Sequence, residues 1–218
     1  MKRKTALTVR EITLIPCFSA LIAACSLITV PMPGVPFTMQ IFGVFFALAC
    51  LGGRNGTIAV ALYLALGAIG LPIFSGFEGG IAKLIGPTGG YLTGFLLAGP
   101  CYQLVTALFA KQGARPALWA KAIALAAGLL LCYLFGTLWF YAVWTAGGKS
   151  IGIGGVLALC VLPFLPFDLL KTALALALSA MIDRRGIPKA FFRGRGKEAD
   201  RGADRADKPT GNGDGDKP

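Results

Sequence analysis

Apolar residues in this chain run in long blocks separated by short polar or Gly/Pro-rich breaks. Segmentation on those breaks predicts helices over residues 12–30, 39–51, 56–71, 89–110 and 116–144, and a last helical region over 154–182. Most of these suffice for a bilayer, whose hydrocarbon core of about 30 Å takes about 20 helical residues to cross. The second block is short, and the third carries Gly67 and Gly70. Short or glycine-broken segments are tolerated at membrane depth where protein or a cavity covers the backbone. The last region is too long for one straight span. Pro163 and Pro166 divide it, and Pro166 suits the first turn of a helix over 166–182, where its missing N–H costs nothing.

Composition agrees with the pattern. With 56% hydrophobic and 14% charged residues, the chain of 218 residues has too little polar surface for a soluble domain. The first block lies where a secretory signal would, but it is as long as a spanning helix and further blocks follow, so it is read as uncleaved. The six cysteines all fall inside apolar blocks without CxxC spacing, and no histidine exists to share a metal. They are expected to be buried free thiols, with no metal or other cofactor.

Charge placement predicts topology. Lys2, Arg3, Lys4 and Arg10 precede the first block, Arg54 lies between the second and third, Lys111, Arg115 and Lys121 surround the fourth junction, and Arg184, Arg185 and Lys189 follow the last. The opposite loops hold only Lys83 and Lys149 as basic residues. By the positive-inside rule this gives six transmembrane helices with both termini cytoplasmic. The expected division is a basic N-terminal segment over 1–11, a six-helix membrane domain over 12–185 and a cytoplasmic tail over 186–218. From about residue 193 the tail is Gly, Asp, Arg, Lys and Pro with almost no apolar residue, a composition that favours disorder. The net charge of +11 follows from topology and attraction to anionic lipid, and requires no nucleic acid.

Two charges break the pattern. Asp168 and Lys171 stand inside the last apolar region, where an ionised group costs about 2.5 to 3.5 kcal/mol even on gentle insertion scales. Three residues apart on a helix, they share a face. They form either the polar heart of a ligand site or a structural ion pair between helices. The loop over 30–40 has three prolines and no charge, so it reads as a stiff lid. The loop over 72–91 is rich in glycine and aromatics, either to approach a ligand or to pack tightly as a re-entrant segment. It lacks the Gly-Lys-Ser/Thr ending of a phosphate loop.

The ordered motifs Pro-x-Pro-x-x-Pro-Phe-Thr-x-Gln (31–40), Leu-Gly-Gly-Arg-x-Gly (51–56), Tyr-Leu-x-x-Gly-x-x-Gly-Leu-Pro-x-Phe (63–74), Gly-Pro-Thr-Gly-Gly-Tyr-Leu-x-Gly-Phe (86–95) and Pro-Phe-Asp-x-x-Lys (166–171) resemble the BioY family. These are the substrate-binding S components of energy-coupling-factor biotin transporters. The resemblance implies an all-α, six-helix integral membrane protein that captures biotin and works with a transmembrane T component and paired ATP-binding-cassette ATPases. It implies toppling of the S component within the membrane, and a docking role for Ala20 and Ala24, which match the family's small-xxx-small patch. Ordinary close packing within the bundle is the other reading of those alanines.

The resemblance also assigns Asp168 and Lys171 to the binding site. Ionised Asp168 accepts ureido N–H groups, and Lys171 suits the carboxylate. The two are only about 4.5 Å apart along a helix, less than the length of extended biotin, so their individual roles stay open. Tyr91 and Gln40 are supporting polar contacts, and Phe74, Trp139 and Tyr141 are candidate walls. Glu78 and Lys83 are candidate partners in a lid ion pair. An asparagine that accompanies the charged pair in several S components has no counterpart in the outer loops, since Asn55 and Asn212 fall in cytoplasmic stretches. Gln40 or a backbone amide must replace it.

An intramembrane enzyme is disfavoured, with no histidine and no Ser/Lys dyad at useful spacing. No Walker motif is present, so active transport must borrow its energy. The alternative is a stand-alone secondary transporter of biotin or another small anionic vitamin, with Asp168 as its proton carrier.

Overall fold

The computed structural model describes residues 9–32, 34–109, 116–148 and 151–184. In chain order the elements are α1 (Val9–Leu27), β1 (Thr29–Val30), β2 (Phe37–Thr38), α2 (Gln40–Ala68), α3 (Ile81–Ile85), α4 (Gly89–Phe109), α5 (Leu118–Ala146), α6 (Ile153–Cys160) and α7 (Leu165–Arg184). The chain divides at Met181, and the described part of the C-terminal unit is only the last residues of α7. The predicted tail over 186–218 lies outside the described residues. Five helices, α1, α2, α4, α5 and α7, are long and apolar enough to cross a membrane.

The second and third predicted blocks are joined into one element, α2, which is a helical hairpin. Gly52 sits inside it at φ 81°, ψ 169°, a conformation essentially restricted to glycine. The two arms, residues 40–51 and 53–68, then run back along each other. Gln40 Nε2 donates to Tyr63 Oη at 2.8 Å although they are 23 residues apart, about 34 Å in an unbroken helix. The sequence places a loop here. A single glycine makes the reversal instead, which leaves the end of the first arm with carbonyls lacking intrahelical donors. Lys121, read from sequence only as a basic residue that sets topology, is buried in the first turn of α5 and donates to Ala49 O at 3.0 Å. A cation at a helix C-terminus also complements the helix dipole. Close by, Asn55 Nδ2 donates to Glu11 Oε1 at 2.9 Å and ties the turn to the start of α1.

The proline-rich loop is not wholly irregular, and the fold is therefore not purely helical. Its ends pair as a two-stranded antiparallel ribbon, Thr29 with Thr38 and Val30 with Phe37. Prolines bar helix between these strands while leaving the flanking residues free to pair. The predicted break in the last region appears between α6 and α7, which ends at Arg184.

The core lies among α1, α2, α4 and α5, with Tyr63, Tyr102, Phe45, Phe74 and Phe140 buried within it. Leu130, Leu134 and Leu138 on α5 face outward, as the surface of a lipid-embedded helix should. The same logic corrects one expectation about cysteine. Cys25, Cys132 and Cys160 are buried, but Cys17 is exposed and Cys50 and Cys101 are half-buried. Within a membrane protein an apolar block does not specify a protein interior, because lipid accepts the same side chains.

Candidate functional site

The first turn of α7 brings Asp168 into the protein, and one turn later Lys171 follows on the same face. Asp168 is 3% exposed and Lys171 5%. Lys171 Nζ donates to Asp168 Oδ1 at 2.8 Å and to Thr38 O of β2 at 2.6 Å. It also lies 3.7 Å from the centroid of the Phe37 ring, a cation–π arrangement. Tyr133, halfway along α5, donates its hydroxyl to Asp168 Oδ2 at 2.6 Å. The cluster thus joins α7, α5 and the ribbon. Among the described residues, no buried side-chain nitrogen or oxygen lacks a hydrogen-bond partner. A carboxylate offers about four lone-pair directions, so Asp168 retains capacity after accepting from Lys171 and Tyr133.

A cleft opens on this cluster, and all five sequence-predicted contact residues, Gln40, Phe74, Tyr91, Asp168 and Lys171, line it. Gln40 is the first residue of α2, held by Tyr63 from the opposite arm. Phe74 is buried and meets the Tyr63 ring edge-on at 5.5 Å between centroids. Tyr91, near the start of α4, approaches Thr137 Oγ1 at 3.5 Å through its hydroxyl. Its ring lies directly against Gly136, where any side chain would collide with it. Val35 and Pro36 from the proline-rich loop also line the cleft.

Other predicted residues lie elsewhere. Trp139 donates from its indole to Gly86 O at 3.0 Å and pins the loop before α4, while Tyr141 packs half-buried against the core. Neither lines the cleft. Glu78 and Lys83 do form the anticipated ion pair, at 2.7 Å. Asn55 is engaged with Glu11, away from the cleft. Ala20 and Ala24 are both exposed on α1, so neither packs within the described bundle.

Tyr133 and Phe37 were not anticipated from sequence. The signal for Tyr133 is a phenol in the middle of the apolar block of α5, since a buried hydroxyl needs a partner and Asp168 is an acid in need of donors. Phe37 stood within the Pro-Phe-Thr motif, but nothing in the sequence places its ring under Lys171.

Several crossing-length apolar helices around a cleft floored by buried charge define a multi-pass protein of the cell membrane built to hold a small polar molecule. Three comparisons narrow that class. The model of the BioY family matches residues 1–187, and the chain belongs to this family. The biotin transporter BioY of Thermotoga maritima is 39% identical over 167 residues, covering 77% of this chain and 92% of that protein. The biotin transporter BioY of Rhodobacter capsulatus is 40% identical over 170 residues, covering 74% of this chain and 87% of that protein. Among solved structures, the S-component for biotin from an ECF-type ABC transporter superposes with a TM-score of 0.70 at 26% identity, over 82% of this chain and 95% of that one.

Proposed function

We propose that this chain is the S component of an energy-coupling-factor transporter, and that it captures biotin in the cleft between α7, α5 and the two loops. The observation that carries this reading is the buried Asp168 carboxylate, which opens on an aromatic-walled cleft while Lys171 and Tyr133 hold it. Its remaining lone pairs suit the two ureido N–H groups of biotin, and Phe74 and Tyr91 suit the apolar rings. Gln40 supplies a further donor or acceptor at the wall.

Six spans result when the arms of α2 are counted separately, with both termini on the cytoplasmic side and the tail over 186–218 beyond the membrane. The first arm alone is only about 18 Å long, and the ribbon and the Gly52 turn supply the remaining depth. Ala20 and Ala24 form a smooth strip on the exposed face of α1, suited to close approach by a helix of the T component. Paired ATPases energise that partner.

The test is transport by purified protein in sealed vesicles. The protein alone is expected to bind labelled biotin without accumulating it, with or without ATP, until a T component and its ATPases are added. Accumulation by the lone protein on a proton gradient would overturn the reading in favour of a secondary transporter. Asp168 would then be the proton carrier.

A further inference from the structure

The cleft has a second cation whose circumstances differ from those of Lys171. Lys83, on the short helix α3, lines the same cleft as Asp168. Its ammonium is held by Glu78, and the two side chains are 20% and 56% exposed. Lys171 by contrast has two donors committed, to Asp168 and to the Thr38 carbonyl, and its ammonium lies over the Phe37 ring. An ammonium has three donors in all, so Lys171 keeps one for an incoming carboxylate, and the Phe37 ring competes for that side of the ammonium. Lys83 surrenders a half-solvated contact, and exposed ion pairs contribute little.

The loop around Glu78 is tied to the cleft wall through its backbone. Phe74 N donates to Glu78 O at 2.9 Å, so the backbone of Glu78 is fixed to a residue of the cleft wall. Gly76, Phe77 and Gly80 all take positive φ, which folds the loop tightly enough for Glu78 to turn back towards α3.

We infer that Lys83 anchors the carboxylate tail of the ligand, and that Glu78 is an internal competitor that occupies Lys83 when no tail is present. This rests on the reading of the cleft as a biotin site. It also resolves the spacing difficulty, because Asp168 and Lys171, one turn apart, hold one end of the ligand while a different element receives the other. Preference for an ionised tail over a neutral one then resides in Lys83.

Titration calorimetry of the full chain in detergent with biotin and with biotinamide, which keeps the rings but has an uncharged tail, tests the assignment. The native protein is expected to prefer biotin. Lys83→Met should weaken biotin by about tenfold and leave biotinamide unchanged, so that the preference collapses. Lys83→Arg should retain most of it. Glu78→Gln should tighten biotin by about two- to fivefold, with no change for biotinamide. A native-like preference in Lys83→Met, or equal weakening of both ligands, would overturn the anchor while leaving the site reading intact. Native protein that binds neither compound would overturn both.

Discussion

Both ends of the bundle bury charge, and at one of them the buried charge lines a cleft. At the turn end, Glu11 and Lys121 are 8% and 6% exposed, and each engages the polar groups of the α2 reversal: Glu11 the amide of Asn55, Lys121 the carbonyl of Ala49. At the loop end, Asp168 and Lys171 are buried at least as deeply, and they line the cleft beside Gln40 and Tyr91. The difference teaches that burial of charge is not by itself the mark of a site. A buried charge is costly unless it is paired or hydrogen-bonded, so retention of one calls for a reason. At the turn end that reason is the helix end left by Gly52. At the loop end the carboxylate keeps acceptor capacity on the side that faces open space.

The comparison makes the two ends separable by experiment, and a third surface should respond to neither. Ala20 and Ala24 belong to the exposed face of α1, so Ala20→Leu or Ala24→Leu is expected to abolish uptake by the assembled transporter while leaving equilibrium biotin binding unchanged. Parallel measurement of vesicle uptake and binding in detergent checks this. Loss of both together would overturn the docking assignment, since leucine on an exposed face should leave the cleft undisturbed.

At the loop end, Asp168→Asn removes the charge from hydrogen bonds with Lys171 and Tyr133 and from the proposed contact with the ligand. Hydrogen bonds to charged groups contribute about 1.5 to 3 kcal/mol, so biotin affinity should fall by roughly 10- to 150-fold. Lys171→Ala should fall by more than about tenfold for the same reason. Calorimetry measures both, with size-exclusion profiles to show that the variants remain folded. Unchanged affinity in both would reduce the pair to a structural tie, and the two ends would then be alike.

Much of this contrast was legible in the sequence. Asp168 and Lys171 announce themselves because a charge inside an apolar block has few explanations, and Pro163 and Pro166 mark the break before their helix. The five contact residues predicted for the ligand share one cleft, although they come from parts of the chain as distant as Gln40 and Lys171. Other features depended on tertiary placement. Lys121 was legible only as a topological charge, because its partner is a backbone carbonyl on another helix, and carbonyls have no sequence signature. Trp139 looked like a wall because aromatics are common both at ligands and at membrane interfaces, whereas here the indole holds a loop. Cys17 looked buried because hydropathy cannot distinguish lipid from protein interior.

The turn end should respond in stability without responding in affinity. Gly52 is confined to its conformation by backbone geometry alone, for a Cβ placed there would meet nothing within 4 Å. Gly52→Ala is therefore a pure backbone perturbation, expected to cost about 1 to 3 kcal/mol of stability. Thermal unfolding in detergent, followed by tryptophan fluorescence with and without biotin, measures it. The biotin affinity of the folded fraction should match the native value. A large affinity loss would mean that the α2 reversal transmits to the cleft, and the separation of the two ends would fail.

The finest test lies within the site. Tyr133 gives Asp168 a single hydrogen bond from a neutral donor, at 2.6 Å, and Tyr133→Phe removes that bond while keeping the ring in place. A bond to a charged acceptor contributes about 1.5 to 3 kcal/mol, but this one is made with and without ligand, so only about 1 kcal/mol of it, roughly fivefold, is expected to appear in biotin affinity. The loss should be the same for biotin and for biotinamide, because Asp168 is assigned to the rings and not to the tail. This sets Tyr133 apart from Lys83, whose replacement is expected to distinguish the two compounds. A Tyr133→Phe effect confined to biotin would reverse the proposed orientation of the ligand, placing its carboxylate at the buried floor. The Asp168 carboxylate would then face another anion across the cleft, and that repulsion is the physical reason for expecting the rings there instead.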